Sequence, residues 1–184
     1  MDMVPQMVTA SVTIFGICSS MVEIQSTWSA VFVVSFHHPG LLFFNSNQRN
    51  LQVNAGSMAD NQVEGWGGYV IDQLRDKAAL TVPSQPNLVL LHVGTNDMIK
   101  NLDYTNAHNR LGVLIDYLFD SIPGVTIIAS TLLPNGDAGT QTRTNYYNSQ
   151  IPGMVKTRQN AGRKITYVDF SSGWFSMSDI ISDG

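Results

Sequence analysis

The sequence predicts an α/β fold built on a parallel sheet, and three features carry that prediction. Leu88 to Val93 is a six-residue, almost wholly apolar run between the breakers Pro86 and Gly94, the pattern of a strand buried on both faces of a parallel sheet. Val125 to Ser130 and Ile165 to Asp169 are two further short, mainly apolar runs. Between these runs lie segments of helical period with short links, and strands alternating with helices make a parallel sheet with right-handed crossovers.

Taken in order, residues 1–42 read differently from the rest. The first cation is Arg49, and only Asp2 and Glu23 are acidic before it. Met3 to Val22 is uncharged, but its Ser, Thr, Gln and Pro make it too polar for a transmembrane helix. Asp2 stands where a signal peptide carries its positive charge. Val31 to Phe36 and Leu41 to Phe44 have the residue types of strands without a clear amphipathic period. Phe43 to Arg49 reads as a strand and its exit loop, Ala55 to Asp60 as a polar loop. Glu64-Gly-Trp-Gly-Gly-Tyr69 then enters a helix that directs Val70, Ile71 and Leu74 at the sheet.

After Val93 the chain enters Gly94-Thr95-Asn96-Asp97, expected to be a loop. A helix follows over about 104–121, where Leu111, Leu114, Ile115, Leu118 and Phe119 recur at three- and four-residue spacing and form one apolar face. Pro123-Gly124 stops it. Leu132 to Gly136 is the exit loop of the next strand. A second long helix is expected over about 142–160, kinked or broken at Pro152-Gly153 because proline removes a backbone donor. Ala161-Gly162 ends it.

The 184 residues are enough for one domain with a sizeable core. A net charge of −4 supplies no basic patch, so nucleic acid is not an expected partner, and no membrane is expected either. The His and Cys residues show no zinc spacing; neither a metal nor a cofactor is expected. A phosphate-binding loop fits neither glycine pattern, G-x-G-x-x-G or the P-loop. Cys18 is the sole cysteine and cannot form an internal disulfide.

Three blocks now stand in order: the glycine turn Glu64–Tyr69, the strand ending in Gly94-Thr95-Asn96-Asp97, and a late Asp183-Gly184. This arrangement resembles the SGNH (GDSL-type) hydrolases, and most closely the carbohydrate esterases of family three, the acetyl xylan esterases. Asn148 to Ile165 also resembles that family. The resemblance runs from about residue 43 to 184, dividing the chain into a poorly matched segment 1–42 and a hydrolase-like domain 43–184. It implies a three-layer α/β/α sandwich of flavodoxin-like type, here incomplete at both ends, and suggests secretion.

Ester hydrolysis of this type needs a nucleophile, a base, a carboxylate that orients the base, and donors for the tetrahedral oxyanion. By resemblance, Gly68 supplies a backbone oxyanion donor, Asn96 a side-chain donor, and Asp183 the carboxylate of Asp-Gly-x-His. Asp97 is expected to brace the loop, and His92, inside the strand, to be a core histidine. No Gly-Asp-Ser occurs in the chain, and the chain reaches only Gly184 where the His would stand two residues on. Gly16-Ile-Cys18 is the nearest shape to the nucleophile block, with an unrelated small residue as the plainer reading of Cys18. His37 and His38 lie outside the matched region. The expected function is a carbohydrate ester hydrolase acting on an acetylated carbohydrate or other small ester, inactive as written. The alternatives are a non-catalytic protein that binds a glycan or small ester, and a fragment without function.

Overall fold

The computed structural model describes residues 34–37, 40–43, 66, 68–86 and 88–173. Its centre is a three-stranded parallel sheet in the order β3-β4-β5: β3 (Leu88–Leu91), β4 (Thr126–Ser130) and β5 (Ile165–Val168). Leu88 pairs with Thr126 and Ile127 with Ile165, both in parallel register. Two earlier strands, β1 (Val34–His37) and β2 (Gly40–Phe43), pair with each other antiparallel. Only two residues separate them, which permits a hairpin but not the crossover that parallel strands require.

Four α-helices are described: α1 (Ile71–Thr81), α2 (Thr95–Ile99), α3 (Ala107–Ser121) and α4 (Ala138–Asn160). A 3-10 turn, Tyr104–Asn106, leads into α3. The apolar face expected for α3 is the one buried: Leu111, Leu114, Ile115, Leu118 and Phe119 all pack in the core. Each such side chain removed from water contributes roughly 1.5–3 kcal/mol.

Strand alternation sorts the sheet into two faces. Val89, Leu91, Ile127, Ala129 and Ile165 point into one core cluster with Ile71 and Leu74 of α1, the apolar face of α3, and Tyr147, Ile151 and Val155 of α4. Leu88, Leu90 and Ile128 point the other way and are half-buried, and Thr166 is exposed. No residue of the Leu88–Val93 run is exposed: Val89, Leu91, His92 and Val93 are buried, and Leu88 and Leu90 are half-buried. The described helices α1, α3 and α4 all supply that one core cluster.

Two further expectations change. Gly94 to Asp97 is not a loop throughout, because Thr95–Ile99 winds into a short helix directly after Gly94. The last helix begins at Ala138, four residues early, and runs unbroken through Pro152. Asp137 caps it by accepting from Thr140 N at 2.7 Å, a start signal that apolar periodicity does not carry. Interior proline costs about 3 kcal/mol, and the buried side chains Tyr147, Ile151, Met154 and Val155 on both sides of Pro152 outweigh it.

Candidate functional site

The carboxyl edge of a parallel sheet is where open α/β folds bind ligands, and the exit of β3 is built there from a close approach. Gly94 has a φ of 120°, a conformation open to glycine, and an added Cβ would lie 3.0 Å from Cζ of Tyr147. The Tyr147 hydroxyl, wholly buried, donates to Val93 O at 2.8 Å. Tyr147 thus seats α4 against the strand exit and leaves no room for a side chain at residue 94.

Beyond Gly94, α2 buries Asn96 and Asp97. Asn96 Nδ2 donates to Tyr69 O at 2.9 Å, and Lys100 Nζ donates to Gly68 O at 2.6 Å. Asp97 Oδ2 accepts from Ile71 N at 3.1 Å, at the start of α1. That carboxylate meets a buried N–H at the positive end of the helix dipole from across the fold. Gln73 Oε1 satisfies the neighbouring Val70 N at 3.1 Å. Three bonds therefore join the 68–71 turn to the 96–100 segment. Gly68 itself has a φ of 78°, and an added Cβ there would meet open space, so its backbone is approachable from that side.

Arg110 closes the arrangement from α3. Its Nη1 lies 2.7 Å from Asp97 Oδ1 and 3.3 Å from Asp72 Oδ2, and its Nη2 donates to Leu102 O at 2.7 Å. The Asp97 side chain is fully buried and that of Arg110 is 13 % exposed. Burial pushes the Asp97 carboxyl above its ordinary value, while the Ile71 N–H and then Arg110 pull it back. Asp97 is thus a brace joining α1, α2 and α3.

His92 lies outside that brace, in the core behind the edge. Its Nδ1 is 2.7 Å from Ser130 Oγ, and its ring is 6.0 Å from that of Phe170. Burial holds its pKa down at about 4, opposed by a backbone hydrogen bond with Thr131. It is a neutral, partnered core histidine at neutral pH.

The structure brings the segments of Gly68 and Asn96 together at the carboxyl edge. Asp183, Cys18 and His38 lie outside the described residues, and His37 falls in β1. Four positioning residues carried little signal in the sequence. Arg110 and Tyr147 are one helical residue each. Asn148 Oδ1 accepts from Leu132 N at 2.7 Å and its Nδ2 donates to Leu132 O at 2.9 Å, pinning α4 to the β4 exit. Thr131 Oγ1 donates to Asp169 Oδ1 at 3.0 Å and accepts from Phe170 N at 2.7 Å, joining the β4 and β5 exits.

The model of the GDSL-like Lipase/Acylhydrolase family matches residues 43–183. The chain belongs to that family. Among solved structures, a family 3 carbohydrate esterase of Clostridium thermocellum is similar at 27 % identity and a TM-score of 0.60, over 74 % of this chain and 63 % of that one. A family 3 carbohydrate esterase from Talaromyces cellulolyticus shares the fold at 17 % identity and a TM-score of 0.61, over 75 % of this chain and 70 % of that one. A protein of Acetivibrio thermocellus named endoglucanase X is 35 % identical over 102 residues. Those residues are 54 % of this chain and 42 % of that protein, so the chain spans less than half of its curated relative's length. No helix among the described residues is long and apolar enough to cross a membrane.

Proposed function

We propose that this chain carries the oxyanion-donor half of an esterase site for acetylated carbohydrates. The observation that supports this reading most directly is the Asn96 Nδ2 bond to Tyr69 O, which ties the amide of one donor segment to the glycine turn of the other. An ester carbonyl that becomes a tetrahedral oxyanion gains negative charge on oxygen. Donors held in place before the reaction stabilise that charge more than they stabilise the substrate. In this proposal the Gly68 N–H and the Asn96 amide are those donors, and Asp97 with Arg110 holds both segments still. Asp183 is proposed as the carboxylate that orients a histidine base, and residues 43–184 as the hydrolase domain. The similarity to a family 3 carbohydrate esterase supports a carbohydrate ester as substrate, and the resemblance of the sequence blocks to acetyl xylan esterases supports an acetyl group on it.

A second reading rests on one sequence fact: the 184 residues contain no Gly-Asp-Ser. It takes the chain as a protein that binds a glycan or small ester without turnover. One pair of measurements separates the two. Binding of an acetylated xylo-oligosaccharide and of its deacetylated counterpart is followed by calorimetry, in residues 1–184 and in Asn96→Ala. The esterase-type site predicts tighter binding of the acetylated form, with that preference lost in Asn96→Ala. Equal binding of both forms removes the ester site and leaves the glycan-binding reading. An activated acetyl ester is expected to show negligible turnover in the same protein; robust turnover abolished by Cys18→Ala would instead make Cys18 the nucleophile.

A further inference from the structure

A cleft of about 280 Å³ opens on the same edge of the sheet, between α4 and the exits of β4 and β5. Asn145, Ser149 and Pro152 line it from α4, and Tyr167, Asp169 and Ser171 from β5 and the loop after it. We infer that this cleft is a subsite for an uncharged sugar ring, separate from the Gly68–Asn96 donors and lined by α4, the helix whose Tyr147 packs on the β3 exit.

The lining decides the ligand class. Hydroxyl, amide and carboxylate groups present donors and acceptors together, the complement of a polyol. No Lys or Arg lines the cleft, so an anionic ligand would face Asp169 uncompensated. One carboxylate is a poor cage for a hard cation, whose sites gather about six to eight oxygens, and no group of three or more His, Cys, Asp or Glu forms a metal set among the described residues. Tyr167 adds a half-buried ring, which offers apolar surface to the C–H face of a sugar.

The polar groups are positioned before any ligand arrives. Asp169 takes its hydrogen bonds on one oxygen, Oδ1: from Thr131 Oγ1 at 3.0 Å, Ser171 N at 2.9 Å and Ser171 Oγ at 2.6 Å. Among the described residues Oδ2 accepts none. The Ser171 hydroxyl, foremost, holds the carboxyl below its ordinary value, so Asp169 is an acceptor across the neutral range. Asn145 and Ser149 are exposed on the helix that also carries Tyr147 and Asn148. That turn of α4 therefore meets the β3 exit through Tyr147, the β4 exit through Asn148 and the cleft through its neighbours. A carbohydrate with its ester at the donors and further rings along this edge has the cleft on its path.

The inference takes its sugar from the proposed function, so its test reads the two sites separately. Xylotetraose, which carries no ester, is titrated into ¹⁵N-labelled residues 1–184 and into Ser149→Trp. Ser149 is exposed, so the indole obstructs the cleft without entering the core. Saturable shifts are expected at the Asn145 side-chain amide and the Ser149 and Ser171 backbone amides, with affinity at least tenfold weaker in Ser149→Trp. No saturable shift at these amides, or equal affinity in the variant, overturns the subsite. A parallel acetate titration reads Gly68 and Asn96: acetate binding there without xylotetraose binding overturns the subsite alone, and xylotetraose binding without acetate binding supports the subsite while counting against the ester site.

Discussion

The exit of β3 and the exits of β4 and β5 share one edge of the sheet but use their polar groups in different ways. At the β3 exit Asp97 spends one carboxylate oxygen on Ile71 N and the other on Arg110. Gly68 O and Tyr69 O are also taken, by Lys100 and Asn96. At the β5 exit Asp169 directs its bonds to Oδ1 and stands beside an open cleft. In the first region the carboxylate is fully engaged by protein partners, and two backbone carbonyls are tied to the 96–100 segment. The second is half-satisfied by protein, as a surface for hydroxyl-bearing ligands requires. The role of an acid at a strand exit is set less by its position than by how many of its oxygens the protein engages.

The largest expected effect comes from breaking the frame. Asp97→Ala leaves Arg110 without its buried partner and Ile71 N without an acceptor, and loss of one member of such a pair costs about 3–5 kcal/mol. Urea unfolding measures it; a loss below about 1 kcal/mol would show that Asp97 braces nothing.

Acid tests the core behind both regions. His92 has its pKa lowered to about 4 from 6.5, so the unfolded chain binds this proton first as pH falls. The contribution to stability is complete above about pH 6.5 and is lost progressively down to about pH 4, amounting to about 3 kcal/mol. His92→Gln, which has no proton to gain, is expected to flatten the stability profile across that window. An unchanged slope would place the acid sensitivity elsewhere.

Gly94→Ala puts a methyl group 3.0 Å from the Tyr147 ring at a φ of 120°. Overpacking and backbone strain together predict a loss of about 2–3 kcal/mol, read as a lower midpoint in thermal unfolding. Wild-type stability would mean that the β3 exit has room to shift. The smallest effect is expected on the open side. Thr131→Val removes a donor to Asp169 and an acceptor for Phe170 N and should cost about 1–2 kcal/mol. It should also weaken xylotetraose binding, whereas Gly94→Ala should not while the chain stays folded.

Much of this architecture was legible in the residues. Three apolar runs and the α3 periodicity place the sheet and one helix, because burial on a regular lattice leaves a period in the sequence. Gly94-Thr95-Asn96-Asp97 has an ordinary turn composition, since Gly, Asn and Asp are common turn residues, and only the family resemblance singles out Asn96. The partners were not legible. Arg110, Tyr147 and Asn148 act 13, 54 and 16 residues away from the groups they hold, and no local spacing encodes a contact across the core. The start of α4 was missed because its signal is a cap at Asp137. Continuity through Pro152 depends on packing of a face, which outweighs a local backbone preference.

In the proposed esterase site the Gly68 N–H and the Asn96 amide bind one developing negative oxygen. Acetate is a small carboxylate that can stand in for that oxygen, and its titration into ¹⁵N-labelled residues 1–184 tests the claim most directly. The Gly68 backbone amide and the Asn96 side-chain amide are expected to shift together and saturate with one dissociation constant, and the Gly68 response is expected to weaken at least tenfold in Asn96→Ala. A Gly68 response that is absent, or that persists unchanged in Asn96→Ala, would contradict it.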